Sequence, residues 1–204
     1  MAEKISNYDL QIAAARKQFL QWDPEAIVQR FHLRREGDHL LISFLHRLYK
    51  ISTVTGEIIR ADGGGEADFN AYLSIFDALC REEAGELSGQ WRTINDLGIH
   101  HPGVGEGPFH ASYEAKFSGH TEALSAACRD MGGQSFPVGD VGYILDVFPF
   151  FPVVFQFWEG DEEFPPQLRI LWDRNTLSFV RYETAWYIAS ALLERLSEYL
   201  ERTK

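Results

Sequence analysis

Apolar side chains recur at helical spacing from the start of the chain. Tyr8, Ile12, Ala15, Phe19 and Trp22 fall on one face of an amphipathic helix. Ser6, with Asp9 three residues later, has the spacing of a capping box at its start. Asp23-Pro24 reads as a cap with proline at the first helical position, opening a second helix through Phe31 that ends before Gly37-Asp38. The pattern then alternates. Residues 40–45 and 48–54 predict a hairpin turning at His46-Arg47, and Ile58-Ile59 predicts a short strand after the turn Thr55-Gly56-Glu57. Beyond the break at Asp62-Gly63-Gly64-Gly65, the positions Phe69, Tyr72, Leu73, Phe76, Leu79 and Cys80 define a helix with one buried stripe.

The segment 85–119 carries seven glycines and two prolines, which predicts irregular backbone with a turn of helix over 93–97. Residues 121–131 follow as a helix closed by Gly132-Gly133. Residues 143–148, 153–158 and 168–172 then predict three successive strands. Within the middle strand Val153, Phe155 and Phe157 share a face, and Val154, Gln156 and Trp158 share the other. Both rows are largely apolar, so the strand is expected to be central and covered on both sides. Ala185, Ala189, Leu192, Leu196 and Tyr199 form the seam of a long C-terminal amphipathic helix. The order αα-ββ-α-loop-α-βββ-α predicts an α+β fold, antiparallel sheet packed with about five helices, and not alternating βαβ units.

A chain of 204 residues without a composition break is expected to form one domain over 1–204, with an N-terminal subregion 1–60 and a C-terminal sheet–helix subregion 134–204. At 45% hydrophobic and 24% charged residues, the composition excludes disordered and collagen-like classes; 15 Phe and 5 Trp imply a ring-rich core. A net charge of −11, with Arg16-Lys17 and Arg34-Arg35 as the only adjacent basic pairs, argues against nucleic acid and anionic membrane partners. Two cysteines, Cys80 and Cys128, are too few for a Cys-rich cluster and fall on apolar stripes, as buried small hydrophobes. The first residues lack an apolar signal region, and the longest apolar run is nine residues interrupted by Pro149 and Pro152. The expectation is a cytoplasmic protein without a membrane span.

Chemistry concentrates at Trp158-Glu159-Gly160-Asp161-Glu162-Glu163-Phe164-Pro165, four carboxylates within five residues between two apolar strands. Adjacent carboxylates repel, which raises some pKa values unless a cation or donor compensates. Hard divalent cations bind such oxygen clusters, although no EF-hand spacing is present. A solvated hairpin loop, with Gly160 at positive φ, has the same composition. Asp146 and Arg169 each interrupt an apolar strand; a buried Asp146 with a shifted pKa is an acid–base candidate, and otherwise the two make a cross-sheet ion pair or an outward edge. His100, His101 and His110 share the glycine-rich segment and could join the acidic loop around a metal, but their spacing matches no metal motif. The glycine clusters at 63–65 and 103–107 lack phosphate-loop spacing and read as turns.

The W-E-G-D-E-E-F-P string at 158–165, followed by Ile170-Leu171-Trp172-Asp173, resembles an uncharacterised bacterial and archaeal family, domain of unknown function 3786. Gly139-Asp140 ahead of the strand ending at Pro149, Leu87-Ser88-Gly89-Gln90-Trp91 and the terminal helix near Glu183 carry the same resemblance, which covers most of the chain. The chain departs from the family at Phe150, where relatives often carry a basic residue, and at Trp172, in place of Phe. The resemblance implies no activity. Some members join this domain to an iron–sulfur module, which implies an accessory role near anaerobic redox or corrinoid metabolism.

The resulting expectation is a binding protein for a small ligand or a protein partner, with no cofactor required. Its site is expected at Trp158, Glu159, Asp161, Glu162, Glu163 and Phe164, together with Asp146 and Asp173. The alternative is a metal-assisted enzyme in which Asp161, Glu162 and Glu163 hold a divalent metal and His101 or His110 moves protons. A third reading makes the acidic loop purely structural. The residues carry no signal for oligomeric state.

Overall fold

The structure is a computed structural model that describes residues 6–82, 85–97 and 106–202. Helix α1 (Asn7–Phe19) starts at the expected capping box. The Ser6 hydroxyl accepts from the Asp9 N–H at 3.1 Å, and the Asp9 carboxylate accepts from the Ser6 N–H at 3.1 Å. Helix α2 (Pro24–Phe31) is capped by Asp23, whose carboxylate accepts from the Glu25 N–H at 3.1 Å.

Strands β1 (Arg34–Glu36), β2 (His39–Phe44), β3 (Arg47–Ser52) and β4 (Ile58–Arg60) form an antiparallel four-stranded sheet in chain order. β1 is absent from the sequence reading because its three charged residues are all exposed and carry no apolar alternation. The β2–β3 turn lies one residue earlier than expected, at Leu45-His46, and both residues are left-handed, with φ of 49° and 59°. Such a turn matches the twist of a hairpin but favours glycine or asparagine. Here the turn is held by tertiary contacts. Leu45 is buried, and its N–H donates to the Val147 carbonyl at 2.9 Å, tying the first sheet to the second.

Helix α3 (Phe69–Leu79) follows, capped by Asp68, and leads to strand β5 (Trp91–Arg92) and a 3₁₀ turn over Ile94–Leu97. Within the segment expected to be irregular lies a helix, α4 (Glu106–Phe117). Gly107 and Pro108 disguise it, but proline near a helix start is compatible with the fold of the first turn. Next come α5 (Thr121–Asp130), β6 (Gln134–Ser135), β7 (Val141–Phe148), β8 (Phe151–Trp158), β9 (Gln167–Asp173), a one-turn α6 (Thr176–Phe179) and α7 (Tyr182–Arg202). The second sheet is antiparallel in the order β5-β9-β8-β7-β6. Seven helices, against the five expected, and two antiparallel sheets make the described residues an α+β fold.

One face of the second sheet, carrying Leu145, Val153, Phe155, Phe157, Ile170 and Trp172, is buried. Helix α4 lies against β9 and α5 against β7, α7 packs on both of these helices, and α3 packs on α7. β8 is the central strand and is buried on both faces, as expected. Val154 and Gln156 of its other row are buried as well, and cover thins only around it, where Ile144, Trp158 and Leu171 are half-buried and Asp146 and Arg169 are exposed. Cys80 and Cys128 are free thiols, and burial pushes each up to about 12. None of the described helices is long and apolar enough to cross a membrane.

Candidate functional site

The acidic loop joins β8 to β9, and two of its four carboxylates, Glu159 and Asp161, are occupied. Asp161 accepts from the Glu163 and Phe164 N–H groups, each at 2.8 Å, and the Asp161 N–H donates back to the Phe164 carbonyl at 2.9 Å. Glu159 accepts from the Ser118 hydroxyl and, at 2.8 Å, from the Gly119 N–H just past α4. These donors lower both carboxyls from their ordinary values: Ser118 and Gly119 outweigh desolvation at Glu159, and the Phe164 and Glu163 amides act on Asp161. The repulsion expected between neighbours is therefore relieved from within the chain. Glu162, Glu163 and Phe164 project into solvent, while Trp158 is half-buried under the Arg169 guanidinium, 5.4 Å from its ring centroid. Gly160 is not at positive φ. Glycine is needed there because a Cβ would stand 2.7 Å from the Pro166 backbone nitrogen.

Asp146 and Asp173 do not join this loop. Asp146 pairs with Pro152, and Asp173 is one residue past Trp172, the partner of Val153. Both are therefore at the far end of the sheet, roughly 20 Å from Trp158 at about 3.3 Å per residue. Asp146 and Arg169 form no cross-sheet pair either: Arg169 aligns with Gln156, four residues along β8 from Pro152, or about 13 Å. Although Asp146 is exposed, partial desolvation against the sheet raises its carboxyl. His110 is buried, which lowers its imidazole pKa, while His100, His101 and Gly103 lie outside the described residues. Among the described residues no three His, Cys, Asp or Glu side chains converge in a metal-binding group.

The strings of the family resemblance meet in pairs as backbone clamps. Asp173, 1% exposed, accepts from the Ser88 N–H and hydroxyl, the Gly89 N–H and the Asn175 N–H at 2.8–3.0 Å, while the Arg174 N–H donates to the Gln90 carbonyl. L-S-G-Q-W is thereby bolted to I-L-W-D. At the other end, the Asp140 carboxylate accepts from the Glu159 N–H at 2.7 Å, and the Asp140 N–H donates to the Phe157 carbonyl at 2.9 Å. Gly139 beside it has φ of 97°, and a Cβ there would lie 2.9 Å from that carbonyl.

Unmet polar demand is found elsewhere, in a cleft of about 310 Å³ between the β2–β3 hairpin, the start of α3, Tyr113 of α4 and the middle of α7. Arg47 opens β3 directly after the strained turn, and Arg195 projects from α7 between Leu192 and Leu196 on its buried side. Their side chains are only 12% and 11% exposed. Both reach the same carboxylate oxygen, Glu198 Oε2, at 2.8 and 2.7 Å; Arg202 approaches that oxygen at 3.9 Å from the solvent side. Burial alone would raise the Glu198 carboxyl, but Arg195 and Arg47 outweigh it and hold the group below its ordinary value. No second carboxylate and no carbonyl meets either guanidinium among the described residues, and Nε of each is sealed from water without a partner. Tyr49 stands beside Arg47, its phenol raised mainly by burial. Two buried cations thus share one direct carboxylate partner, with the Tyr199 ring centroid 5.1 Å from the Arg195 guanidinium carbon. Asp68 and Glu194 line the same cleft but form no ion pair with either arginine among the described residues.

Sequence reading missed this group because Arg47 is 151 residues from Glu198, which with Arg195 looks like an ordinary i,i+3 helix pair. The available signal was a cation on an apolar helical seam: Arg195 lies three residues after Leu192 and four before Tyr199. A family model described as "Domain of unknown function (DUF3786)" matches residues 23–195, a span that includes both arginines and leaves out α1. Neither the curated proteins nor the solved structures include a match.

Proposed function

The chain belongs to the family of domain of unknown function 3786, and from that premise we propose that it is a binding domain that captures a small organic anion in the Arg47–Arg195 cleft. The observation that carries this reading is the pair of nearly buried guanidiniums served by one carboxylate oxygen. An arginine fork presents five donors in a plane suited to a carboxylate. Beyond Glu198 and the Tyr49 phenol, the Nη donors of Arg47 and Arg195 have no protein acceptor among the described residues, while both Nε groups are sealed inside the fold. An anionic group entering the cleft would meet donors already desolvated and oriented, so little ordering would be lost on binding. The volume, 310 Å³, is at the lower end of small-molecule sites, and Phe44, Tyr49 and Tyr113 supply apolar wall.

The acidic loop fits the structural reading better than a binding role. Both Glu159 oxygens and Oδ1 of Asp161 accept from main-chain and hydroxyl donors, and Glu162 and Glu163 are solvated charges. Thermal-shift titration tests the proposal. Acetate, propionate, succinate and inorganic phosphate are added in turn to wild type and to Arg195→Met. A probe at 100 times its Kd stabilises by about 2.7 kcal/mol. At least one carboxylate is expected to raise the wild-type melting temperature in a saturable way and to leave Arg195→Met unmoved. No saturable shift with any of the four, or equal shifts in the variant, would overturn the reading.

A further inference from the structure

We infer that the ligand is a zwitterion, a carboxylate joined to an ammonium group; this rests on the cleft reading above and adds the second charge. The lining is divided by depth. Its cations, Arg47 and Arg195, are nearly buried; of its three carboxylates, Glu198 is half-buried against both arginines, and Asp68 and Glu194 are exposed at the rim. Glu194 and Glu198 are one turn apart on α7 and therefore neighbours on one helical face. Glu194 accepts from the Tyr113 hydroxyl at 3.3 Å, which fixes it across the cleft from the hairpin. Asp68 uses one oxygen, Oδ1, to cap α3 through the Ala71 N–H at 2.9 Å. Its Oδ2 has no hydrogen-bond partner among the described residues.

A simple monoanion would satisfy the deep cations and meet repulsion from this acidic rim as it entered. A plain cation would find the rim and be repelled by the floor. A molecule carrying a carboxylate at one end and an ammonium at the other matches both signs in depth order, and electrostatic complementarity of this kind discriminates between ligands of equal size. Ser190 and Asn70 add neutral hydrogen-bonding groups to the lining.

Calorimetric titration of the full chain with matched pairs tests this. Each ω-amino acid from glycine to 6-aminohexanoate is compared with the carboxylate of equal carbon number, and with propylamine as the plain cation. At one chain length the amino acid is expected to bind at least about tenfold more tightly than its carboxylate, a difference of about 1.4 kcal/mol. In Glu194→Gln combined with Asp68→Asn, which keeps an acceptor for the α3 cap, that advantage is expected to fall below about twofold while carboxylate affinity is kept or improved. Equal affinities across every pair in wild type, or an advantage surviving in the double variant, would overturn the zwitterion while leaving the anion site standing. Absence of binding by all carboxylates and amino acids would overturn both.

Discussion

The loop between β8 and β9 and the cleft beneath the β2–β3 turn both gather charge, and they differ in how that charge is met. The loop gathers four carboxylates within five residues, yet Asp161 and Glu159 are satisfied by amides and a hydroxyl a few ångströms away, and the others are in water. The cleft holds two guanidiniums from opposite ends of the chain, nearly buried, with one carboxylate oxygen between them. Charge density along a sequence measures how a segment is solvated. Unmet demand after folding depends on burial and on partners contributed from elsewhere, and that is what marks a site.

The sharpest way to break this contrast is to remove the shared anion. Glu198→Ala leaves two buried guanidiniums facing one another and is expected to lower stability by about 3–5 kcal/mol in urea unfolding. A loss under about 1 kcal/mol would mean that the cluster is effectively in water. The same group sets a pH dependence. Glu198 and Asp173 are both held below their ordinary values in the fold, Glu198 by its arginines and Asp173 by the amides of Asn175, Ser88 and Gly89, against desolvation in each case. Their stabilisation is complete above the unfolded carboxylate pKa, about 4, and is lost as pH falls through the lower folded values. Glu198→Gln is expected to flatten that acid limb of the unfolding curve. An unchanged limb would separate Glu198 from it.

Smaller changes sharpen the other side of the comparison. Trp158 is half-buried beneath Arg169, so Trp158→Ala is expected to cost about 2 kcal/mol, less than loss of a fully buried ring at about 3–5. His46 is exposed at φ of 59°, so His46→Gly is expected to raise stability by about 0.5–1 kcal/mol by relieving a left-handed residue. Glu162→Lys with Glu163→Lys is expected to change stability by less than about 0.5 kcal/mol and to leave ligand binding at the cleft intact.

Local chemistry was legible in the sequence where it acts locally. The Ser6–Asp9 capping box, the Asp23-Pro24 start, the α3 stripe and the three strands of the second sheet all follow from neighbours within one or two turns. Helix α4 was hidden by glycine and proline in and around its first turn, and β1 by its charge. The Leu45-His46 turn was misplaced because its backbone is imposed by the bond to Val147 and the burial of Leu45, neither of which is local. The acidic string was conspicuous and read as strained; the donors that relax it at Glu159 come from Ser118 and Gly119, some forty residues earlier. Arg47, Arg195 and Glu198 form a group only once the hairpin is laid against α7, so no window of sequence displays them together.

Replacing a buried ionic cluster by apolar residues of similar volume is often neutral or stabilising by about 1–4 kcal/mol, so a cluster kept for binding is separable from one kept for folding. Titration calorimetry of propionate and 4-aminobutyrate into wild type and into Arg47→Met/Arg195→Met/Glu198→Leu, with a melting curve for each, measures this directly. The expected result is saturable binding of at least one of the two to wild type, none to the triple variant, and a variant melting temperature equal to or above that of wild type. Equal binding by both proteins, or a wild type that takes up neither molecule, would contradict the assignment of the cleft.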